Sequence, residues 1–389
     1  MEKNKLIEVI SQLSNREGAS GFENRVADYV VETAKEMGLG LALKDPMMNL
    51  YLSREGNTAD LLELTSDTEA SQANLKAFTV EEKLADKSRP LRFQLDAHMD
   101  EVSYMVQAIL PNGCLKITQL GRWVASNIPA HRVKVLSDKG EYLIGLTTSK
   151  PPHFMSEEEL AKPITLEQIV VDMGFSSKEE CLAAGIKIGA PIVPDVECEY
   201  FPEKDRFIGK AFDCRSGCAS ILGTLSALKN EKLSCDVFGA FAAQEEVGTR
   251  GASVTGQVVK PDIAIVFEGC PADDTFGDPA LSQTKLGHGP MLRHLDARMI
   301  THPGFQRYVL NLAEELGIEV QDSVRTGGST NGAPLHLTKK ACPCIVIGIP
   351  VRYIHTHYGY SSLKDHELAI RLASEIVKRM DWELFHSLY

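Results

Sequence analysis

The apolar positions of this chain repeat with a helical period at the start, a strand period in the middle and an alternation of the two towards the end. In residues 1–17, Leu6, Ile7, Val9, Ile10 and Leu13 are spaced as one face of a helix among Glu2, Lys3, Lys5 and Glu8, which predicts an amphipathic helix and not a signal peptide. A second helix is predicted from residue 22 to about 37, opened by a capping box of Ser20 and Glu23 and ended by Gly38. A short strand follows near 49–52. Residues 54–88 are rich in Glu, Asp, Thr and Ser, show weak helical patterning only at 61–64 and 80–85, and read as a surface excursion or partly ordered insertion.

A strand is predicted at 91–98. From about 106 to 196 the pattern becomes short alternating strands at 115–120, 132–136, 142–147 and 169–172, separated by turns rich in Gly, Pro and Lys. This is the pattern of a small β-rich domain, expected to be β-barrel-like, inserted into a larger one. After residue 209 the order is helix 216–228, strands 236–243 and 263–268, helix 305–316, strand 345–349 and a helix from 365 to about 380. Such alternation implies an α/β fold with a largely parallel, helix-covered sheet whose functional residues gather at strand ends. The expected organisation is one domain of residues 1–105 and 197–389, carrying the 54–88 insertion and interrupted by the β domain at 106–196.

Composition narrows the function by exclusion. The chain has 389 residues and a formal net charge of -12, which argues against nucleic acid and against an anionic membrane surface as the main partner. No apolar run approaches the ~18 residues of a membrane span. Nine cysteines are dispersed without a C-x-x-C pair, as suits a reducing cytoplasm.

Candidate chemistry lies at strand ends. The apolar run 237–243 ends on Gln244, Glu245 and Glu246, two adjacent carboxylates at the edge of a hydrophobic sheet. Buried without compensation, such a pair would cost several kcal/mol, so it should face water, bind cations or hold different protonation states. His98-Met99-Asp100 puts an imidazole and a carboxylate on one side of an extended chain, where the acid can orient the ring. Asp213 precedes a helix, Glu268 ends the apolar run 263–268, and His355 follows the run ending near Ile349. Asp213 alone reads equally as a helix cap, and each of the other motifs alone reads equally as structural. Together, apart from the orienting Asp100, they give two histidines and four carboxylates, a donor set that suits a pair of Zn, Co or Mn ions bridged by a carboxylate. The lack of a cysteine cluster points to a catalytic and not a structural site. Cys342 and Cys344 have no further Cys or His partner and read as buried or edge-strand residues.

HMDEV, the Asp-x-Arg-x-Gly segment at 213–217, QEEVGTRG, TGGST and IPVRYIH resemble, in order and context, the dinuclear metallo-aminopeptidases of family 42, which include glutamyl, leucyl and tetrahedral aminopeptidases. Gly121-Arg122-Trp123, Lys150-Pro-Pro-His153, Val171-Asp-Met-Gly174 and Leu286-Gly-His-Gly-Pro290 agree. The resemblance runs from about Gly21 to the C-terminus, outside 54–88. It implies a zinc-peptidase (phosphorylase/hydrolase-like) fold and two divalent metal ions per subunit. By the same implication Asp213 bridges the two ions, His98 and Glu268 complete one site, Glu246 and His355 complete the other, Asp100 orients His98, and Glu245 is the general base. It further implies a substrate peptide with a free N-terminus, and homo-oligomers, as dimers or a dodecamer, assembled through the β domain.

This chain departs from the family pattern at four places. Cys214 stands where a second Asp is usual, and Glu268 where Asp is usual. Ser329-Thr330-Asn331 replaces Thr-Asp after the paired glycines, which bears on substrate binding by Gly328, Ser329 and Asn331. Thr356-His357 replaces Ser-Pro, and makes His357 an alternative ligand. Two rival readings follow: a deacylase or carboxypeptidase on the same two-metal scaffold, and a member that keeps fold and assembly but has impaired catalysis.

Overall fold

A computed structural model describes residues 1–59, 61, 89–339 and 341–389. Nearly all of the patterned segments expected within 54–88 therefore lie outside the described residues.

Among the described residues, the main sheet has eight strands in the order Leu41–Lys44, Leu50–Ser53, Cys235–Ala242, Leu91–His98, Ile263–Pro271, Cys344–Val351, Met291–Leu295 and Gln321–Val324. The four strands from Cys235–Ala242 to Cys344–Val351 run parallel. Cys235–Ala242 and Cys344–Val351 are buried at every residue, as expected of strands covered on both faces. The flanks turn antiparallel at Leu50–Ser53 and at Met291–Leu295. Within the first flank, Leu41–Lys44 pairs antiparallel with Leu50–Ser53, because the short turn between them closes a hairpin and cannot carry a crossover helix.

Helix Lys3–Asn15 buries Leu6, Val9, Ile10 and Leu13, the face its spacing predicts. The second helix spans Asn24–Met37 and ends in a left-handed Gly38. Its expected capping box does not form. Ser20 Oγ donates instead to Asp100 Oδ2 at 2.6 Å, and Glu23 Oε1 accepts the backbone N–H groups of Gly21 and Gln244. Both side chains are drawn to distant partners at the sheet edge that a local motif does not show.

The strands Ser103–Ile109, Leu115–Leu120, Val170–Asp172, Tyr142–Thr148, Arg132–Leu136 and Pro191–Pro194 close a barrel. Its interior, including Tyr104, Leu115, Val133, Val135, Val171 and Ile192, is a hydrophobic core separate from that of the main sheet. A small sheet of Glu199–Phe201, Arg206–Gly209 and Gly359–Ser361 lies beyond the barrel in the chain. No helix among the described residues is long and apolar enough to cross a membrane, and all nine cysteines are free.

Candidate metal centre

The parallel strands share a C-terminal edge, and the site stands on it. His98 is the last residue of its strand, fully buried. Glu268 lies within Ile263–Pro271, one strand away. Gln244, Glu245 and Glu246 follow Cys235–Ala242, and His355 lies just beyond Cys344–Val351. Asp213 sits at a break at the start of helix Phe212–Leu228, where its own φ/ψ of -87°/109° is not helical. Ala211, Gln244 and His355 have left-handed φ values of 54°, 54° and 59°, conformations that cost non-glycine residues roughly 1–3 kcal/mol and gather where a site demands them.

Asp213 divides its two oxygens between the histidines. Oδ1 lies 3.1 Å from His98 Nε2, and Oδ2 lies 3.3 Å from His355 Nε2. His98 Nε2 also lies 3.4 Å from Glu268 Oε1, and His355 Nε2 lies 3.6 Å from Glu246 Oε2. The donor atoms therefore form two groups, His98–Asp213–Cys214–Glu268 and Asp213–Glu246–His355, each within 4.8 Å. Buried Glu246 Oε1 and Glu268 Oε2 have no hydrogen-bond partner. Burial, and then the charge of Asp213, push both carboxyls well above the usual range. Crowded carboxylates, each with one oxygen near an imidazole nitrogen and the other without a partner, are what a divalent cation would satisfy, so this donor set fits metal.

Asp100 anchors the site. His98 Nδ1 lies 3.0 Å from its backbone oxygen and 3.4 Å from its Oδ1. Its carboxylate also accepts the backbone N–H groups of Glu245 and Glu246, at 2.9 and 3.1 Å. One side chain thus fixes both an imidazole and the Glu–Glu turn. Glu245 itself stands 3.9 Å from His98 Nε2 and lines the cleft. Burial pushes its pKa up to about 7, with His98 opposing and Asp213 adding to the rise. Cys214 Sγ donates to the Phe267 carbonyl at 3.2 Å, and burial, then Glu268, hold the thiol well above its ordinary value. Its sulfur also stands within the donor group of His98, Asp213 and Glu268.

Two glycines make room for the centre. A Cβ on Gly121, in the barrel, would stand 2.9 Å from Glu246 Oε2, and one on Gly269 would stand 2.7 Å from the Asp213 Cα. Above them opens a cleft of about 620 Å³, with Gly328 and Ser329 on its wall.

The profile of the M42 glutamyl aminopeptidase family matches residues 79–372, most of the chain. The chain belongs to that family. The glutamyl aminopeptidase of Lactococcus lactis subsp. cremoris is 28% identical over 97% of each chain. The TET aminopeptidase of a marine sediment Thaumarchaeota archaeon has the same fold at TM-score 0.88, with 32% identity over 99% of each chain. Aminopeptidase APDkam598 of Desulfurococcus kamchatkensis gives 0.85 and 28% identity, over 99% of this chain and 98% of that one. The M42 chain is accordingly a hydrolase of peptide bonds, an aminopeptidase.

Within this family member, two residues expected at the site stand elsewhere. His357 is buried in an aromatic cluster, stacked on His131 at 3.9 Å between ring centroids and tilted against Trp123. Burial, then His131, push its pKa down to about 3, and it belongs to neither donor group. Asn331 does not line the cleft. It is buried and donates to Asp96 Oδ1 at 2.7 Å, so it ties the Gly328 loop to the strand that ends on His98. Local spacing missed this because the partner is 235 residues away in the chain. Also missed were cleft arginines 293, 298 and 325. A signal existed for Arg293, a charged residue that directly follows apolar Met291 and Leu292.

Proposed function

We propose that this aminopeptidase removes N-terminal residues from peptides, short ones above all, at two divalent cations held by His98, Asp213, Glu246, Glu268 and His355. The observation that carries this is the division of Asp213, one oxygen to each histidine, with a separate glutamate beside each. Zinc suits the mixed imidazole and carboxylate set, with cobalt or manganese as alternatives. When bound, such ions supply Lewis acidity, lowering the pKa of water and polarising a carbonyl.

The chain's own residues do the rest. Glu245 takes a proton at its carboxylate and returns it to the departing amine, a role suited to a group near neutrality. Asp100 keeps the Glu245 backbone and the His98 ring in register during that exchange. Gly328 and Ser329 border the space for substrate, and the buried, unpartnered Ser329 Oγ is free to bond it. We assign the protein to a reducing cytoplasm, in keeping with nine free cysteines. We further infer homo-oligomers, as dimers or a dodecamer. Exposed Val124, Ile144, Leu146, Phe154 and Leu160, all on the inserted segment, are the apolar side chains there that a subunit contact would cover.

The test is metal analysis with a substrate comparison. The expected result is two divalent ions per chain, activity lost on chelation and restored by metal, and cleavage of a peptide but not of its N-acetylated form. Equal cleavage of both forms would refute the aminopeptidase reading.

A further inference from the structure

The two donor groups at the sheet edge are not equivalent. Asp213, Glu246 and His355 offer three donors, all nitrogen or oxygen, whereas His98, Asp213, Cys214 and Glu268 offer four, one of them the Cys214 sulfur. Burial near the centre does not by itself put a cysteine in a donor group. Cys218, one helical turn further on, gives its thiol to the His98 carbonyl at 3.1 Å, and Cys270 is buried two residues past Glu268, yet among the described residues neither belongs to one.

The local backbone brings the sulfur in. Adjacent side chains of a regular helix point about 100° apart, which takes neighbours to different sides. Asp213 and Cys214 stand at the start of helix Phe212–Leu228 with φ/ψ of -87°/109° and -117°/43°, outside the helical region, and both offer a donor to the same group. Gly217 leaves the space, because a Cβ there would collide with the Cys214 sulfur. The fourth donor residue, Glu268, is 4% exposed, with Oε1 3.4 Å from His98 Nε2 and a buried Oε2 that has no partner. Leaving such an oxygen unsatisfied costs roughly 1–3 kcal/mol, and a cation bound in this group would satisfy it.

We propose that Cys214 ligates the cation held by His98, Asp213 and Glu268, and so makes this the zinc-retaining position of an unequal pair. The inference rests on the two-cation reading. The thiol, which donates to the Phe267 carbonyl at 3.2 Å, exchanges that hydrogen bond for the metal. The S–H bond breaks, the proton leaves to solvent and a sulfur lone pair bonds the ion, because a ligating thiol is deprotonated. Thiolate favours zinc over the harder manganese, and four protein donors match the tetrahedral preference of zinc. The three donors at His355 leave a position open, as suits the more exchangeable ion.

The experiment uses the full chain reconstituted with zinc, as wild type, Cys214→Ser and Cys214→Ala. X-ray absorption reads the zinc ligands, and mass spectrometry reads the ions kept after dialysis against a chelator. The expected wild-type result is a zinc–sulfur shell at ~2.3 Å, amounting to one sulfur per pair of ions, and one ion kept when the other has left. Both variants should lose the sulfur shell and hold that ion at least ~10-fold more weakly, a loss that even an outer-shell partner brings. Cobalt-loaded wild type supplies a measurement that needs no variant to fold, a sulfur-to-cobalt charge-transfer band. Two ions with nitrogen and oxygen ligands alone, and no such band, would overturn the inference and leave the two-cation reading standing. A sulfur shell that survives Cys214→Ala, or ion retention unchanged in every variant that folds, would also overturn it. If wild type takes up no divalent ion, the two-cation reading falls and this inference with it.

Discussion

Asp213 and Glu246 meet a glycine each, and those contacts show how tightly the centre is specified. Gly121 holds φ at +81°, and a Cβ there would press on Glu246 Oε2. Gly121→Ala should therefore displace one ligand and lower metal content towards one ion per chain, read by mass spectrometry of the purified protein, while thermal unfolding stays cooperative. Two ions retained at full affinity would show that Glu246 is not a ligand. The residue types of the candidate donor groups were legible in the sequence, because only a few side chains bind a divalent ion and five such motifs fell at predicted strand ends. Asn331 and His357 were not legible. Their surroundings are set by Asp96, His131 and Trp123, all far away in sequence.

Between elements, buried charge locks the active-site loop in place. Glu101, one residue past Asp100, accepts from Lys210 Nζ at 2.8 Å on both oxygens, and Arg215 Nη2 lies 3.5 Å away. Arg215 also donates to the carbonyls of Met99 and Leu13. Removing one member of a buried charge network leaves the others uncompensated, so Glu101→Ala should destabilise the protein by about 3–5 kcal/mol in denaturant unfolding. A loss below about 1 kcal/mol would contradict the network's role. A second link joins helix Lys3–Asn15 and the barrel through Glu17, whose Oε1 accepts from Lys134 Nζ at 2.8 Å. Burial alone would raise the Glu17 pKa, but the Lys134 hydrogen bond, a backbone hydrogen bond and the Lys134 charge outweigh it and lower the value to about 2. Because the folded pKa is depressed, this stabilisation is present above pH 4.5 and lost as pH falls towards 2. Glu17→Gln should flatten the acid limb of a stability-against-pH curve in that window, and an unchanged slope would count against it. The long buried strands, such as Leu91–His98, were visible as apolar runs. The flanking strands Met291–Leu295 and Gln321–Val324 were not, because short strands with mixed polarity carry little period.

At the scale of the whole molecule, the inserted segment reaches the metal centre, since Gly121 and Arg122, just past strand Leu115–Leu120, stand beside Glu246 and on the wall of the cleft. The inserted segment thus helps to line the candidate site. If the apolar surface of that segment joins subunits, Phe154→Asp, at a side chain 73% exposed, should shift light scattering towards smaller species, whereas an unchanged mass would place the contact elsewhere. The central claim, a two-metal aminopeptidase in which Glu246 binds and Glu245 moves the proton, is tested most directly by Glu245→Gln. The measurement pairs metal content with kcat on a panel of aminoacyl chromogenic substrates. The account predicts two ions retained and turnover reduced at least ~100-fold. Near-normal turnover with full metal content would contradict it.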